Sequence, residues 1–226
     1  AVEITVDRNG REFKFKVVRE VITVHAVSVK TIDGSSGKVG YVKVKTFSEV
    51  LPAEFRKEMA VLRAEGIAKV IIDLRDNPGG LLWSALDILY EFSGPNDVRM
   101  TMRERDGTAV FDASYLPDGV DLDYAPGASR NMKAVVLVNK GSASASEIFA
   151  GTMKDLGFPV VGPPPPLSTF GKGVGQKVIP LSDGSLLRLT TFEFLVGNSK
   201  TKIEGIGVIP THEVVDPQSS SSVTLR

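Results

Sequence analysis

The sequence predicts an α/β protein, in which a sheet of β-α-β units has helices against its faces and a small β-rich segment precedes it. Short apolar runs typical of buried strands alternate along the chain with segments of helical periodicity. Before them, residues 2–29 alternate between apolar and polar side chains, as strands do. With 226 residues, 42% of them hydrophobic, the chain can bury a substantial core.

The N-terminal segment, residues 1–30, predicts a β-hairpin followed by another strand. Asn9-Gly10 separates two alternating runs and is typical of a tight hairpin turn. Residues 31–38 are rich in glycine and serine, which indicates a turn-forming linker. We therefore expect the core domain over residues 31–217, and a polar, disordered tail over 218–226.

The core domain contains the strand and helix patterns in the order β-α-β-α-β-α, and then returns to strands. Parallel strands joined in this way are expected to have right-handed crossovers. The predicted helices span 51–65, 82–92 and 145–156, and the predicted strands span 39–46, 68–74, 132–138, 176–180 and 185–194.

Composition excludes several classes of function. The 27 basic residues balance 27 acidic ones without a long run of either sign, so no nucleic-acid partner is predicted. The absence of cysteine excludes disulfides, a thiolate metal site and a cysteine nucleophile. No apolar run is long enough to span a membrane, and the N-terminus lacks the apolar core of a signal peptide. No cofactor or metal is expected.

The first stretch with chemical potential is residues 139–151, a turn rich in small residues between a predicted strand and helix. A serine in such a turn is exposed and lies near free backbone N–H groups, which can stabilise a developing negative charge. The alternative is that its serines only cap the helix, as serines often do.

The second stretch is residues 168–176, in which glycines flank Lys172 ahead of a strand. The alternatives are an exposed turn lysine or a phosphate-binding loop. The phosphate-binding motif requires Ser or Thr after the lysine and a following helix, so Gly173 and the strand exclude it.

These two stretches, together with residues 73–80, resemble the carboxyl-terminal processing proteases, also called tail-specific proteases. The motifs are Leu-Arg-x-Asn-x-Gly-Gly, Gly-Ser-Ala-Ser-Ala-Ser-Glu and Thr-Phe-Gly-Lys-Gly-x-x-Gln, in the family's order. The similarity runs from about residue 40 to 217. It implies a crotonase/Clp-protease-like core and a serine endopeptidase with a Ser-Lys pair, which cuts polypeptides near their C-termini.

The resemblance also implies a role for each matching residue. The nucleophile corresponds to Ser144, the general base to Lys172, and the residue that orients the lysine to Gln176. The backbone N–H groups of Gly80 and Ala145 correspond to the oxyanion hole. A free lysine has a pKa of about 10.4 and is protonated at neutral pH, so a lysine base needs a desolvating environment.

Neighbouring polar residues are expected to have structural roles. We interpret Ser142, Ser146 and Glu147 as caps and hydrogen-bond partners of the helix start. For Asp73 and Arg75 we favour an internal ion pair over substrate binding.

Three further side chains are of types that often contribute to active sites. Trp83 is expected to pack where its helix meets the sheet, and the alternative is contact with a substrate side chain. His25 and His212 lie in no recognisable catalytic motif, which argues against a histidine-based triad.

Two features depart from the family's pattern. Residues 2–19 resemble only the last strands of a PDZ domain, the type of domain that captures peptide C-termini by strand addition. Residues 163–168 contain four prolines and lengthen the connection to Lys172. We expect this loop to project outward, and the alternative is that it displaces the lysine.

The alternative function is a latent or non-proteolytic, ligand-binding or scaffold member of the same fold. The resemblance implies substrate C-termini as partners, leaves open a regulatory or adaptor protein and a homo-oligomer, and suggests a bacterial cell-envelope or periplasmic location.

Overall fold

The computed structural model describes residues 1–18, 20, 25–94, 97, 99–112, 127–165 and 168–214. Its helices are α1 (Leu51–Ala64), α2 (Leu82–Leu89) and α3 (Ala145–Asp155). Its strands are β1 (Val2–Arg8), β2 (Arg11–Val17), β3 (Val27–Gly34), β4 (Gly37–Val44), β5 (Lys69–Asp73), β6 (Met100–Glu104), β7 (Gly107–Phe111), β8 (Lys133–Leu137), β9 (Val160–Gly162), β10 (Val174–Pro180), β11 (Leu186–Val196), β12 (Thr201–Lys202) and β13 (His212–Glu213). No helix in the described part of the chain is both long and apolar enough to cross a membrane.

The larger sheet has six strands in the order β13-β9-β8-β5-β4-β3. All neighbours pair in parallel except β3 and β4, which form an antiparallel hairpin. Helix α1 connects β4 to β5, and α3 connects β8 to β9, so the predicted β-α-β units are present. Val70 and Ile72, which share one face of β5, are almost fully buried, and Ile71 on the opposite face is partly buried.

A second, antiparallel sheet has the order β10-β11-β6-β7, with β12 pairing on β11. Strands β6 and β7 lie in a stretch to which the sequence patterns assigned no element. Phe194 and Met100 of this sheet belong to the same apolar core as Phe149 of α3 and Val136 of β8. Shared packing of this kind joins the second sheet to the first.

The N-terminal hairpin of β1 and β2 is present as predicted. Asn9 and Gly10 both have positive φ, as the favoured two-residue hairpin turn requires. Ile4 pairs with Phe15 and Val6 with Phe13, so apolar side chains oppose one another across the hairpin, where they remain exposed. That this hairpin ends a PDZ domain stays a prediction.

The linker predicted over residues 31–38 is wrong. Strand β3 continues through Gly34, and its residues pair with β4 over the full length of both strands. The boundary drawn between residues 30 and 31 therefore divides a strand of the larger sheet. The physical reason is that glycine and serine suit a tight hairpin turn as well as a linker, and here the turn is confined to Ser35 and Ser36. The predicted tail, 218–226, lies outside the described residues.

Candidate active site

Two loops of the larger sheet meet because the strands that precede them are parallel neighbours. Asp73 ends β5 and pairs with Leu137, which ends β8. The loops that follow, residues 74–81 and 138–144, therefore leave the same edge of the sheet. Ligand sites of α/β sheets are commonly formed by such loops.

The second loop places Ser144 at the N-terminal cap of α3 with a φ of 56°. A positive φ costs about 1–3 kcal/mol for a residue other than glycine, so surrounding contacts must stabilise it. Ser142 Oγ donates to Leu74 O (2.7 Å) and Ser146 Oγ donates to Asn77 O (2.8 Å), and both serines are fully buried. Of the three serines, Ser144 is the one that is partly exposed.

The first loop brings Gly79 against the Ser144 turn and Gly80 against the backbone of Phe47. A Cβ atom added to Gly79 would lie 2.6 Å from Ala143 O, and one added to Gly80 would lie 2.2 Å from Phe47 O. Only glycine fits approaches this close. Within the described residues, the backbone N–H groups of Gly80 and Ala145 have no hydrogen-bond acceptor.

Asn77 joins the two loops and is buried (1% exposed). Its side-chain amide donates to Val44 O (3.0 Å), and its Oδ1 accepts from Gly79 N (2.9 Å). Its backbone carbonyl accepts from Ala143 N (3.1 Å). One residue thus fixes the glycine turn and the serine turn relative to each other.

A third loop, residues 168–173, carries Lys172 and is hydrogen-bonded along its backbone. Phe170 N donates to Ser142 O (2.9 Å), Lys172 N to Glu147 Oε2 (2.9 Å), and Gly173 N to Glu204 Oε2 (2.7 Å). The amino group of Lys172 makes no hydrogen bond or ion pair within the described residues.

The three loops border one cavity of about 560 Å³. All the residues predicted for the site line it, namely Ser144, Lys172, Gln176, Gly80 and Ala145. The rest of the lining is mainly apolar and includes Leu82, Trp83, Met102, Ile148, Phe192 and Phe194. Of the proline loop, Pro166 and Leu167 lie outside the described residues, and Lys172 nevertheless borders the same cavity as Ser144.

Gln176 lies in β10, on the exposed part of the β10-β11 hairpin. Its Nε2 donates to Thr190 Oγ1 across the hairpin (3.3 Å). The structure shows no hydrogen bond from Gln176 to Lys172 among the residues that it describes. The role of Gln176 in orienting the lysine therefore stays a prediction.

With this geometry in place, the chain was compared with known proteins. The profile of peptidase family S41 matches residues 38–214. The chain belongs to peptidase family S41. It is 33% identical over its full length to the carboxy-terminal processing protease CtpB of Bacillus subtilis, and 32% identical over 97% of its length to a probable CtpA-like serine protease of Staphylococcus saprophyticus.

Solved structures agree with the sequence comparison. The photosystem II D1 C-terminal processing protease is 27% identical, with a TM-score of 0.70 over 90% of this chain and 52% of that one. An S41 protease from Bacteroides fragilis shares the fold, with a TM-score of 0.67 over 94% of this chain and 58% of that one, at 16% identity. The chain spans 45% of the CtpB sequence and 42% of the S. saprophyticus sequence.

In this S41 chain, Asp73 and Arg75 form the internal ion pair that we favoured. Both Asp73 oxygens accept from the Arg75 guanidinium, at 3.0 and 2.7 Å, and Asp73 is only 1% exposed. Burial by itself raises the pKa of this carboxyl. The hydrogen bonds from Arg75 and Tyr41 outweigh burial and lower its pKa to about 2. Asp73 is not part of the cavity lining.

Trp83 borders the cavity, whereas the two histidines lie away from its lining. Trp83 is 42% exposed, lines the cavity and packs edge-on against Phe111 of β7 at 5.5 Å between ring centroids, as expected where its helix meets a sheet, and its contact with a substrate side chain stays a prediction. His25 is hydrogen-bonded to Glu54 and His212 lies in β13, and neither lines the cavity.

Sequence reasoning missed part of the architecture. Glu147 was interpreted as a partner of the helix start only, and the Ser-x-x-Glu spacing does predict its bond to the capping residue. The same spacing does not predict the hydrogen bonds that Glu147 accepts from the lysine loop. Asn77 stands in the Leu-Arg-x-Asn-x-Gly-Gly motif but was given no role, and Glu204 was missed, because the partners of both are backbone groups and these leave no sequence signature.

Proposed function

We propose that this S41 protein is a serine endopeptidase that cleaves polypeptides near their C-termini through an acyl-enzyme on Ser144. One observation carries the proposal. Among the described residues, a partly exposed serine, a lysine amino group without a partner and two free backbone N–H groups border the same cavity. These are the parts that acyl transfer requires, a nucleophile, a base and donors for an oxyanion.

In acylation, neutral Lys172 Nζ takes the proton of the Ser144 hydroxyl while Oγ attacks the carbonyl carbon of the substrate peptide bond. The N–H groups of Gly80 and Ala145 bind the oxygen that gains negative charge. When the C–N bond breaks, the leaving amine receives the proton from Lys172. The C-terminal fragment departs, and the remaining chain is esterified to Ser144.

In deacylation, the same groups act on water. Lys172 takes a proton from a water molecule, whose oxygen attacks the ester carbonyl, and the N–H groups again bind the oxyanion. The C–O bond then breaks, and Lys172 returns the proton to Ser144 Oγ. The products are a new carboxyl terminus and the free enzyme.

The lining supports the substrate class. Family S41 membership implies a polypeptide substrate. The apolar wall formed by Trp83, Phe192 and Phe194 suits an apolar substrate side chain near the cut. The proposal that the cut lies near a C-terminus draws on CtpB and the D1 protease, whose names describe C-terminal processing.

Location and further partners remain proposals. We place the protein in the bacterial cell envelope, and fractionation of the source cells checks this. We also propose that the protein binds a regulatory or adaptor protein and that it forms a homo-oligomer. Co-purification and light scattering test them.

The experiment is labelling with a fluorophosphonate probe, followed by mass mapping. We expect Ser144 to be labelled, and Ser144→Ala to lose labelling and to lower peptide hydrolysis about a thousandfold or more. Ser142→Ala removes two hydrogen bonds and Ser146→Ala removes one, each worth about 1 kcal/mol of stability, and both variants should keep labelling. A folded wild type that is neither labelled nor active would favour the latent or ligand-binding alternative.

A further inference from the structure

Glu147 is the third residue of α3, and its side chain is completely buried. Within the described residues it has no cationic partner. A buried carboxylate of this kind is costly unless hydrogen bonds compensate for lost hydration. The bonds that it makes therefore carry information about its role.

Four donors surround the Glu147 carboxylate. Oε1 accepts from Thr169 Oγ1 (2.5 Å) and Gly171 N (2.7 Å). Oε2 accepts from Ser144 N (2.8 Å) and Lys172 N (2.9 Å). A single oxygen atom thus joins the peptide N–H groups of the proposed nucleophile and the proposed base.

Helix capping explains only one of these bonds. In a capping box, the glutamate at this position accepts from the N–H of the capping residue, here Ser144. The other three donors belong to the lysine loop, which a helix cap does not need. Two carboxylate oxygens with four donors in fixed directions hold both loops in one arrangement.

The Ser144 turn in particular needs such support. Ser144 has a φ of 56°, which is unfavourable for a residue other than glycine, whereas Gly171 is a glycine and adopts its φ of 89° readily. Ser144 lies in a loop that follows a strand of the larger sheet, whereas Lys172 lies in the loop that leads into the second sheet. Proton transfer requires their side chains to come within hydrogen-bond distance of each other.

We propose that Glu147 is a positioning residue, whose carboxylate fixes the Ser144 turn and the Lys172 loop in the relative arrangement needed for proton transfer. The inference rests on the proposed function. Glu147 does not line the cavity, so it acts through the two residues that it holds and not by contact with substrate.

The test is Glu147→Gln, which keeps the shape of the side chain. An amide has one acceptor oxygen, so one donor pair must face an NH₂ group. We expect kcat for an internally quenched, mainly apolar peptide to fall about 10- to 100-fold, because displacing a catalytic group by 1 Å costs on the order of a hundredfold. KM should change less than about threefold, and the rate of fluorophosphonate labelling should fall in parallel with kcat.

Glu54→Gln is the matched control. Glu54 also lies in the first turn of a helix, and its carboxylate accepts from Ala26 N (2.8 Å), Val27 N (3.3 Å) and His25. It lies outside the cavity lining. Glu54→Gln should lower the free energy of unfolding and leave kcat within about twofold of wild type.

Three results would overturn the inference. One is a folded Glu147→Gln with the kcat and labelling rate of wild type, and another is a loss no larger than that from Glu54→Gln. If Glu147→Gln does not fold, Thr169→Val decides, since it removes one donor to Oε1, together with the acceptor of Val208 N (2.7 Å), and should lower kcat several-fold with little change in KM. A wild-type kcat in Thr169→Val is the third result that would overturn the inference. If the wild type is active, any of these three results contradicts the inference and leaves the proposed function unaffected. If the wild type is inactive and is not labelled, both the inference and the proposed function are contradicted.

Discussion

Gly79→Ala tests whether the contact between the glycine turn and the serine turn sets catalytic geometry. The added Cβ would lie 2.6 Å from Ala143 O and 2.9 Å from both Ala145 N and Ser144 Cβ. Two of these three atoms are backbone atoms, which cannot rotate away. Since ordinary contact begins at 3.4 Å, the two turns must separate by about 0.8 Å.

This displacement should lower kcat by about a hundredfold, equivalent to about 3 kcal/mol of activation free energy. It moves the Ala145 N–H away from the Gly80 N–H, and loss of one oxyanion donor alone costs about 10²- to 10³-fold in kcat. We would measure kcat and KM with a quenched peptide, the rate of fluorophosphonate labelling, and the free energy of unfolding in urea.

Gly66→Ala is the control for backbone strain. Gly66 follows α1, has a φ of 71° against 99° for Gly79, and has open space where a Cβ would be added. Its substitution should cost about 1 kcal/mol of stability and leave kcat unchanged. If Gly79→Ala and Gly66→Ala have the same kcat, the contact between the turns does not control catalysis and the reasoning is refuted.

Three further predictions concern charged and titratable side chains. The pKa of Asp73 is lowered from 3.8 to about 2 in the folded protein, so the stabilisation by its hydrogen bonds is complete above pH 4 and is lost as the pH falls through about 2. The loss should be about 2 kcal/mol in urea titrations, and a pH dependence unchanged in Asp73→Asn would contradict it. Lys172→Arg should abolish hydrolysis because a guanidinium stays protonated. Replacing His25 and His212 together should leave the pH profile of kcat/KM as it is in wild type, and a changed profile would point to a different base.

The periodicity of the sequence was a good guide to the central elements, because their burial is regular. Strands β5 and β8 read as short apolar runs, with one face buried and the other partly covered, and α1 places Phe55, Met59 and Leu62 on one buried face. The strand β3 was partly misread because its second half is exposed and ends in glycine, so only its pairing with β4 shows that it belongs to the sheet.

The active site, like the fold, could be predicted only in part. Motif order was enough to propose Ser144 and Lys172, and the structure places both on one cavity. It was not enough to reveal how they are held, because the partners of Glu147 and Asn77 are mostly backbone N–H and C=O groups. Every residue has such groups, and folding alone decides which of them converge.

The hydrogen bonds also separate two parts of the site that catalysis must combine. Asn77 binds the glycine turn to the serine turn, and both follow parallel strands of the larger sheet, so the two oxyanion donors belong to one rigid unit. Lys172 instead precedes β10 of the second sheet, and its loop is connected to that unit by the Glu147 carboxylate and by the hydrogen bond from Phe170 N to Ser142 O. Loss of the Asn77 and Gly79 contacts should therefore damage the oxyanion hole. Loss of the Glu147 contacts should instead displace the Lys172 loop relative to the Ser144 turn, so the two sets of contacts support different parts of proton and charge transfer.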